Sequence, residues 1–111
     1  MIELQEYTDT NGSSPFAEWF NDLDALAATK IVTALVRVEQ GNLSNTKGVG
    51  SGVLEYRIDF GPGYRIYFGK DGKRLVILLA GGTKKRQQRD IEAAKVRWED
   101  YKQRKRQRGN K

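Results

Sequence analysis

The sequence contains no cysteine and no histidine among its 111 residues. Without cysteine the chain can form neither a disulfide nor a thiolate metal site, and without histidine it has no imidazole ligand, general acid or general base. These two absences exclude a Ser-His-Asp triad, a Cys-His pair and a zinc hydrolase site. Any catalysis must therefore use lysine, arginine, tyrosine, aspartate or glutamate, and we expect neither a metal nor another cofactor.

Long apolar runs are also missing. No stretch approaches the roughly 20 apolar residues of a transmembrane helix, and the N-terminal residues lack the pattern of a signal peptide. A chain of this length can bury one hydrophobic core and not two. The sequence therefore predicts one soluble domain over residues 1–101. It also predicts a basic, disordered tail over residues 102–111, because that segment has no apolar side chain to hold it against the fold.

Positive charge is concentrated at the C-terminal end of the chain. Residues 84–111 contain 12 basic and 4 acidic residues, a net of +8, whereas the first 83 residues carry a net of −2. A basic end on a nearly neutral body is typical of a surface that binds a polyanion, because each phosphate contact releases counterions. A solubilising charged segment is the alternative interpretation.

The pattern that organises the chain lies in residues 53–69, VLEYRIDFGPGYRIYFG. Polar and apolar residues alternate over 53–60, and residues 64–68 are mostly β-branched or aromatic, as expected for two strands. A Gly-Pro-Gly turn between them favours a tight reversal. The sequence thus predicts a β-hairpin that can bring Arg57 and Arg65 near each other, with the register left open. The alternative is that both arginines lie on a solvated sheet face.

Alternation, helical spacing and capping residues predict the other elements. A serine-proline pair opens the first of two helices, and five consecutive apolar residues indicate a strand buried on both faces. The predicted elements are a strand near residues 2–7, helices over 15–23 and 26–40, an irregular loop over 41–52, the buried strand at 75–79 and a last helix after Thr83. This order predicts an α+β domain. Its antiparallel sheet, a short N-terminal strand plus a three-stranded meander, is packed by two N-terminal helices and followed by a basic C-terminal helix.

Three cations, Lys84, Lys85 and Arg86, fall in the first turn predicted for the last helix, with Thr83 as its N-cap. The helix dipole favours negative charge at that end, so these cations cost stability unless an anion such as phosphate binds there. We interpret the cluster as a candidate phosphate-binding site. An accidental solvated cluster is the alternative.

Three stretches together resemble one protein family: SPFAEWFNDL, GVLEYRIDFGPGYRIYF and LVILLAGGTKKRQQRDIEAAK. They are similar to the RelE/ParE superfamily of toxins, in particular to its HigB-like, phage-derived addiction module killer branch, from about Glu3 to Tyr101. The resemblance implies a RelE/ParE-like fold, a cytoplasmic location without membrane contact, and a ribosome-dependent endoribonuclease that cuts mRNA. It also implies a cognate antitoxin as partner, a HigA-like helix-turn-helix protein.

The resemblance further implies which residues act. In RelE-like enzymes the 2′-OH of the RNA attacks the scissile phosphate, which suits a site without histidine. By position, Arg65 matches the phosphate-stabilising arginine of the family, Arg57 replaces the first of two strand lysines, and Lys84 lies near an arginine that acts on the phosphate or leaving group. These three are the expected catalytic residues. The further RNA-binding candidates are Lys47, Lys85, Arg86 and Arg89.

Two positions depart from the family pattern. Asp59 stands where the second strand lysine is expected, and Asp90 stands where a late tyrosine is expected. Arginine rarely gives up its proton, so Arg57 is a poor general base. Asp59, Tyr64 and Asp90 are therefore candidates for base, acid or base-stacking roles, with none assigned.

Two functions of other classes stay open. The ParE branch shares the fold but inhibits DNA gyrase, without nuclease chemistry. A basic nucleic-acid-binding domain without toxicity would show the same charge distribution.

Overall fold

A computed structural model describes residues 1–109, which form a five-stranded sheet with helices on both faces. The strands are β1 (Glu3–Glu6), β2 (Thr46–Gly50), β3 (Val53–Ile58), β4 (Tyr64–Asp71) and β5 (Leu75–Thr83). The helices are α1 (Pro15–Asn21), α2 (Ala25–Glu39) and α3 (Gln87–Gly109), and a 3-10 turn over Lys84–Arg86 precedes α3. The predicted α+β class is confirmed. No helix within the described range is long and apolar enough to cross a membrane.

The strand order is β1-β5-β4-β3-β2. The pairs from β2 to β5 are antiparallel, whereas β1 runs parallel to β5, with Glu3 opposite Leu75 and Glu6 opposite Leu78. The sheet is therefore mixed, and the prediction of a purely antiparallel sheet is wrong. A hairpin would force antiparallel pairing, but β1 and β5 are far apart in the chain, so no turn sets their relative direction.

A fifth strand lies within residues 41–52, where the sequence predicts a loop. β2 pairs with β3 at the edge of the sheet, and a bulge interrupts this pairing between Gly48 and Gly50. A glycine-rich segment lacks the alternation that marks a strand, so its extended form depends on the hydrogen bonds that β3 supplies. The prediction of an irregular loop is wrong for residues 46–50.

Both faces of the sheet are covered. On one face, α1 and α2 enclose a cluster that includes Phe16, Ile31 and Phe68. On the other face, α3 packs Ala94 and Trp98 against the sheet. β5 is buried on both faces over most of its length, as its apolar run predicts. The second layer means that α3 covers part of the polar face of β3, so that Glu55 is buried while Arg57 stays exposed.

The start of α3 differs from the prediction. Thr83 makes no side-chain capping bond, and Lys84–Arg86 form a 3-10 turn instead of the first turn of an α-helix. The first turn of α3 carries Asp90, a residue type that the helix dipole favours there. The three cations therefore lie in the turn that precedes α3 and not in its first turn, and their roles depend on where their side chains lie.

The last turns of α3 also differ from the prediction. Residues 102–109 continue the helix, so the predicted disordered tail is wrong over that range, and residues 110–111 lie outside the described residues. Arg104 donates to the Asp100 carboxylate at 2.6 Å and to the carbonyl oxygen of Thr8, and Tyr7 donates to the same carboxylate at 2.7 Å. These polar contacts hold the last turns of the helix against the chain that follows β1.

Candidate functional site

The β3–β4 hairpin places Arg57 and Arg65 directly opposite each other. Gly61 and Gly63 in the turn have φ of 55° and 77°, values that favour glycine. The predicted proximity of the two arginines is therefore confirmed. They are not both solvated, because the Arg65 side chain is 8% exposed and that of Arg57 is 46% exposed.

Glu55 lies beside these arginines and is absent from the residues predicted above. Its side chain is fully buried and accepts hydrogen bonds from Arg57 Nε at 2.9 Å, Gln87 Nε2 at 2.8 Å and the Tyr67 hydroxyl at 3.0 Å. Arg65 Nε lies 4.0 Å from the same carboxylate. Like charges that face each other across a strand pair repel, and Glu55 offsets that repulsion.

The buried network also fixes protonation states. Burial by itself raises the pKa of the Glu55 carboxyl, but the hydrogen bonds from Arg57, Gln87 and Tyr67 outweigh burial and hold the pKa below its usual value. Burial and the neighbouring Glu55 charge raise the pKa of Tyr67 well above its usual value. At neutral pH, Glu55 is therefore ionised and Tyr67 protonated, so Glu55 acts as a fixed counter-charge to the arginines.

A groove of about 510 Å³ opens beside this network, and we call it the cationic groove. Its cations come from four elements: Lys47 on β2, Arg57 on β3, Arg65 on β4 and Lys84 in the 3-10 turn. Asp59 supplies the single carboxylate among the described residues that line it. Four cations against one carboxylate make this groove suited to a phosphate group.

A hydrogen bond to the backbone holds the Arg65 side chain in place. Its Nη1 donates to the carbonyl oxygen of Gly63 at 3.2 Å, and the same oxygen accepts the backbone N–H of Lys84 at 2.9 Å. Arg65 Nε is buried without a hydrogen-bond partner among residues 1–109. A buried charged donor that lacks a hydrogen bond is costly, and the negative charge of Glu55, 4.0 Å away, offsets part of that cost. A Cβ on Gly63 would lie 3.3 Å from Lys84 and 3.4 Å from Arg65, so the close approach depends on glycine.

Asp59 and Tyr64 lie in different surroundings. Asp59 is exposed at the rim of the cationic groove. Tyr64 lies on the opposite face of β4 from Arg65, and its ring packs edge-on against Trp19 with centroids 6.3 Å apart. Asp59 therefore belongs to the groove lining, whereas Tyr64 belongs to the core beneath α1.

The other predicted residues lie elsewhere. A second cleft of about 350 Å³, between α1, α3 and β5, is lined by Arg86, Arg89 and Asp90, and we call it the Asp90 cleft. Lys85 is exposed and lines neither cleft. The structure thus brings together five of the predicted site residues: Lys47, Arg57, Asp59, Arg65 and Lys84.

The family of the chain follows from comparison with known proteins. Residues 18–99 match the family model described as Phage derived protein Gp49-like (DUF891). The chain belongs to the Gp49-like family. Its members are toxin-like proteins of the RelE/Gp49 type, and a toxin-like protein suggests an antitoxin as partner. The phage-derived, toxin-like part of the resemblance is therefore confirmed.

A relative from Haemophilus influenzae (strain ATCC 51907 / DSM 11121 / KW20 / Rd), described as an uncharacterized protein, is 43% identical over 82 residues. The alignment covers 73% of this chain and 83% of the relative. The Gp49-like match over residues 18–99 includes the whole cationic groove and Asp90. It ends before Lys102, so the basic last turns of α3 lie outside the family match.

The Asp90 side chain packs directly against the backbone of β5 at Gly82. A Cβ on Gly82 would fall 1.8 Å from Asp90 Oδ2, and this oxygen is buried without a hydrogen-bond partner within residues 1–109. Burial raises the pKa of the Asp90 carboxyl, although Arg86, Arg97 and Arg89 act to lower it. The charged form of Asp90 is therefore less favourable in the folded protein than in water.

We expect Asp90→Asn to raise the melting temperature at pH 7 by a few degrees, because it removes a buried charge that lacks a hydrogen bond. The raised folded-state pKa penalises the wild type above that pKa, and the penalty disappears below the unfolded value of about 3.9. The gain should therefore shrink as the pH falls, which thermal unfolding at pH 7, 5 and 3.5 would measure. Glu92→Gln, an exposed change on the same helix, is the control and should alter little. A lower melting temperature for Asp90→Asn at pH 7 would show that the arginines stabilise the carboxylate after all.

Proposed function

We propose that this toxin-like protein is the toxin of a type II toxin-antitoxin module, of the HigB-like kind within the RelE/ParE superfamily, and that it cleaves mRNA on the ribosome. The observation that carries the proposal is the cationic groove, in which Arg57 and Arg65 face each other with Lys84 beside them. A chain without histidine can use such a groove for RNA cleavage because the RNA provides its own nucleophile.

An RNA phosphate in the groove would meet donors that are already oriented. Arg57 binds Glu55 through Nε, which leaves its terminal nitrogens for the ligand. Arg65 is anchored to the Gly63 carbonyl through Nη1 and buried beneath the groove. Pre-organised cations stabilise the charge that develops on a pentacovalent phosphate without reorganisation during the reaction.

The reaction forms a bond between the 2′-oxygen and phosphorus and breaks the bond from phosphorus to the 5′-oxygen. The 2′-OH gives its proton to a base, and the departing 5′-oxygen receives a proton from an acid. Asp59 is the carboxylate at the groove rim and our candidate base. Lys47 and Lys84 are the candidate donors, because each carries an ammonium group on the groove wall. The products are a cyclic phosphate and a 5′-hydroxyl.

A reconstituted translation system with a labelled mRNA tests the proposal directly. We expect the protein to cut mRNA that is being translated and to leave gyrase supercoiling unchanged. Gyrase inhibition without cleavage would assign the ParE-like activity instead. RNA binding with neither effect, and without growth arrest on expression, would leave a non-toxic nucleic-acid-binding domain.

Two adjacent lysines provide a matched comparison. Lys84 lines the cationic groove and Lys85 does not, although both are exposed and one residue apart. We expect Lys84→Gln to slow mRNA cleavage by roughly 100-fold, because it removes a charged donor from the transition state, and Lys85→Gln to change it by about twofold at most. Cleavage rates in the translation system measure both. Equal losses would mean that overall charge matters and the groove does not.

The antitoxin in this proposal is a HigA-like helix-turn-helix protein encoded beside the toxin. Co-expression with the neighbouring reading frame should suppress growth arrest and yield a complex that survives gel filtration. A neighbouring frame that neither binds nor neutralises the protein would count against a toxin-antitoxin module.

A further inference from the structure

A third cleft, of about 370 Å³, lies between the β4–β5 turn and the C-terminal half of α3, and we call it the α3 cleft. Its lining contains four cations and one carboxylate: Lys70, Lys102, Lys105, Arg106 and Asp71, together with the rings of Trp98 and Tyr101. This concentration of positive charge has no part in the cationic groove, which uses different residues.

Internal contacts hold the α3 cleft in shape. The Tyr101 hydroxyl donates to Asp71 Oδ2 at 2.6 Å, and Lys105 pairs with the other oxygen of the same carboxylate. The hydrogen bond from Lys105, followed by that from Tyr101, lowers the pKa of Asp71, so the carboxylate stays ionised and fixed. The Trp98 and Tyr101 rings stack with centroids 5.4 Å apart, and Lys102 Nζ lies 5.7 Å from the Trp98 ring centre.

The remaining cations are available to a ligand. Lys102 and Arg106 lie 3.4 and 3.6 Å from the Glu99 carboxylate, with side chains 38% and 62% exposed. Exposed pairs of this kind contribute about 0–1 kcal/mol, so a phosphate can replace Glu99 at little cost. Lys70 is exposed and forms no ion pair within residues 1–109.

The composition of α3 favours a nucleic acid over a protein partner. Residues 102–109, KQRKRQRG, include no apolar side chain. Protein interfaces have an apolar centre and few lysines, whereas nucleic-acid interfaces are polar and strongly positive. A membrane-surface helix also requires an apolar face, which this segment does not have.

The aromatic rings favour paired over unpaired RNA. Proteins that bind single strands offer exposed rings on which bases stack. Here Trp98 is 6% exposed and Tyr101 lies stacked on it with its hydroxyl bound to Asp71. Cations on a rigid helix can still contact the phosphates of a duplex, whose shape is recognised without access to the bases.

The α3 cleft and the cationic groove lie towards opposite ends of β4. Arg65 is near the start of the strand and Lys70 near its end, and five residues of strand span about 17 Å. We propose that the α3 cleft binds the phosphate backbone of paired RNA, holding ribosomal RNA while the cationic groove acts on the mRNA. The inference rests on the proposed function in taking RNA as the polyanion.

A charge-matched pair of double variants tests this assignment. Lys102→Gln with Arg106→Gln removes two cations from the α3 cleft, and Lys30→Gln with Arg37→Gln removes two exposed cations from α2. The probe is a fluorescent RNA hairpin with a stem of about 20 base pairs, titrated at several KCl concentrations. We expect the α3 variant to bind roughly 10-fold more weakly at 100 mM salt and to reduce the slope of log K against log salt by about 1–2. The α2 variant should stay within about twofold of the wild type.

Hairpin binding and mRNA cleavage are separate measurements, so this inference can be judged apart from the proposed nuclease activity. Lys85→Gln, an exposed change outside the α3 cleft and the cationic groove, should leave hairpin binding within about twofold of the wild type. If the chain does not cleave mRNA but the α3 variant still loses hairpin binding, the proposed function fails and the RNA-binding surface stands. Equal losses from the two double variants would overturn the α3 assignment. The assignment would also be overturned if the α3 variant kept hairpin binding but lost antitoxin binding, because the cleft would then belong to a protein partner.

Discussion

Replacing Arg65 with lysine should reduce mRNA cleavage by roughly 100-fold or more while the protein stays folded. Lysine keeps the positive charge but loses the planar pair of donors that can bind two phosphate oxygens together. It also loses the Nη1 contact to Gly63 that orients the guanidinium beneath the groove. The fold should tolerate the change because Glu55 keeps its hydrogen bonds to Arg57, Gln87 and Tyr67.

Arg74→Lys is the matched control, since it makes the same substitution at an exposed position between β4 and β5. Cleavage of translated mRNA measures the activity, and circular dichroism with thermal unfolding establishes that each variant is folded. Full activity of a folded Arg65→Lys protein would show that charge alone suffices at this position. Full activity of a folded Arg65→Ala protein would remove the residue from the site altogether.

Glu55→Gln should destabilise the protein by about 3 kcal/mol, the range expected when one partner of a buried ion pair is removed. The substitution keeps the shape of the side chain but leaves Arg65, which is 8% exposed, without a counter-charge and opposite Arg57. It should also lower cleavage, because the two arginines would move apart. Glu55 thus serves as a positioning residue for the cationic groove.

Urea unfolding at several pH values measures the effect of Glu55→Gln. The pKa of Glu55 is lowered in the folded state, so its stabilisation is complete above the unfolded value of about 4.3 and is lost as the pH falls through the folded value. The gap between wild type and variant should therefore close at acidic pH. Glu99→Gln, which removes a 54% exposed carboxylate, is the control and should cost about 1 kcal/mol or less. A gap that does not change with pH would mean that the lost hydrogen bonds, and not the charge, account for the effect.

Local signals predicted the elements whose form depends on their own residues. The hairpin at 53–69, the buried run from Leu75 and the helix start at Ser14 carry alternation, apolar continuity or a capping side chain. The parallel direction of β1 and the existence of β2 could not be predicted in the same way. The direction of β1 depends on hydrogen bonds to β5, which is distant in sequence. The glycine-rich β2 is extended because it pairs with β3, and its own residues give no signal of a strand.

The same distinction applies to the candidate site. Arg57 and Arg65 were predictable as neighbours because one tight turn joins their strands. Glu55 was not, since an acidic residue on the polar face of a strand suggests contact with water until α3 is known to cover it. Arg86 was grouped with Lys84 by adjacency, yet the 3-10 turn directs it into the Asp90 cleft.

The parallel pairing of β1 with β5 has a consequence for synthesis of the protein. The first strand to leave the ribosome pairs with the last, so it must wait for residues 75–78 before the sheet can close. Lys84 comes later still, and Trp98 on α3 must emerge before the face containing Glu55 is covered. The cationic groove is therefore complete only late in synthesis, and under the proposed function this delay keeps the nascent chain inactive on the ribosome that is making it.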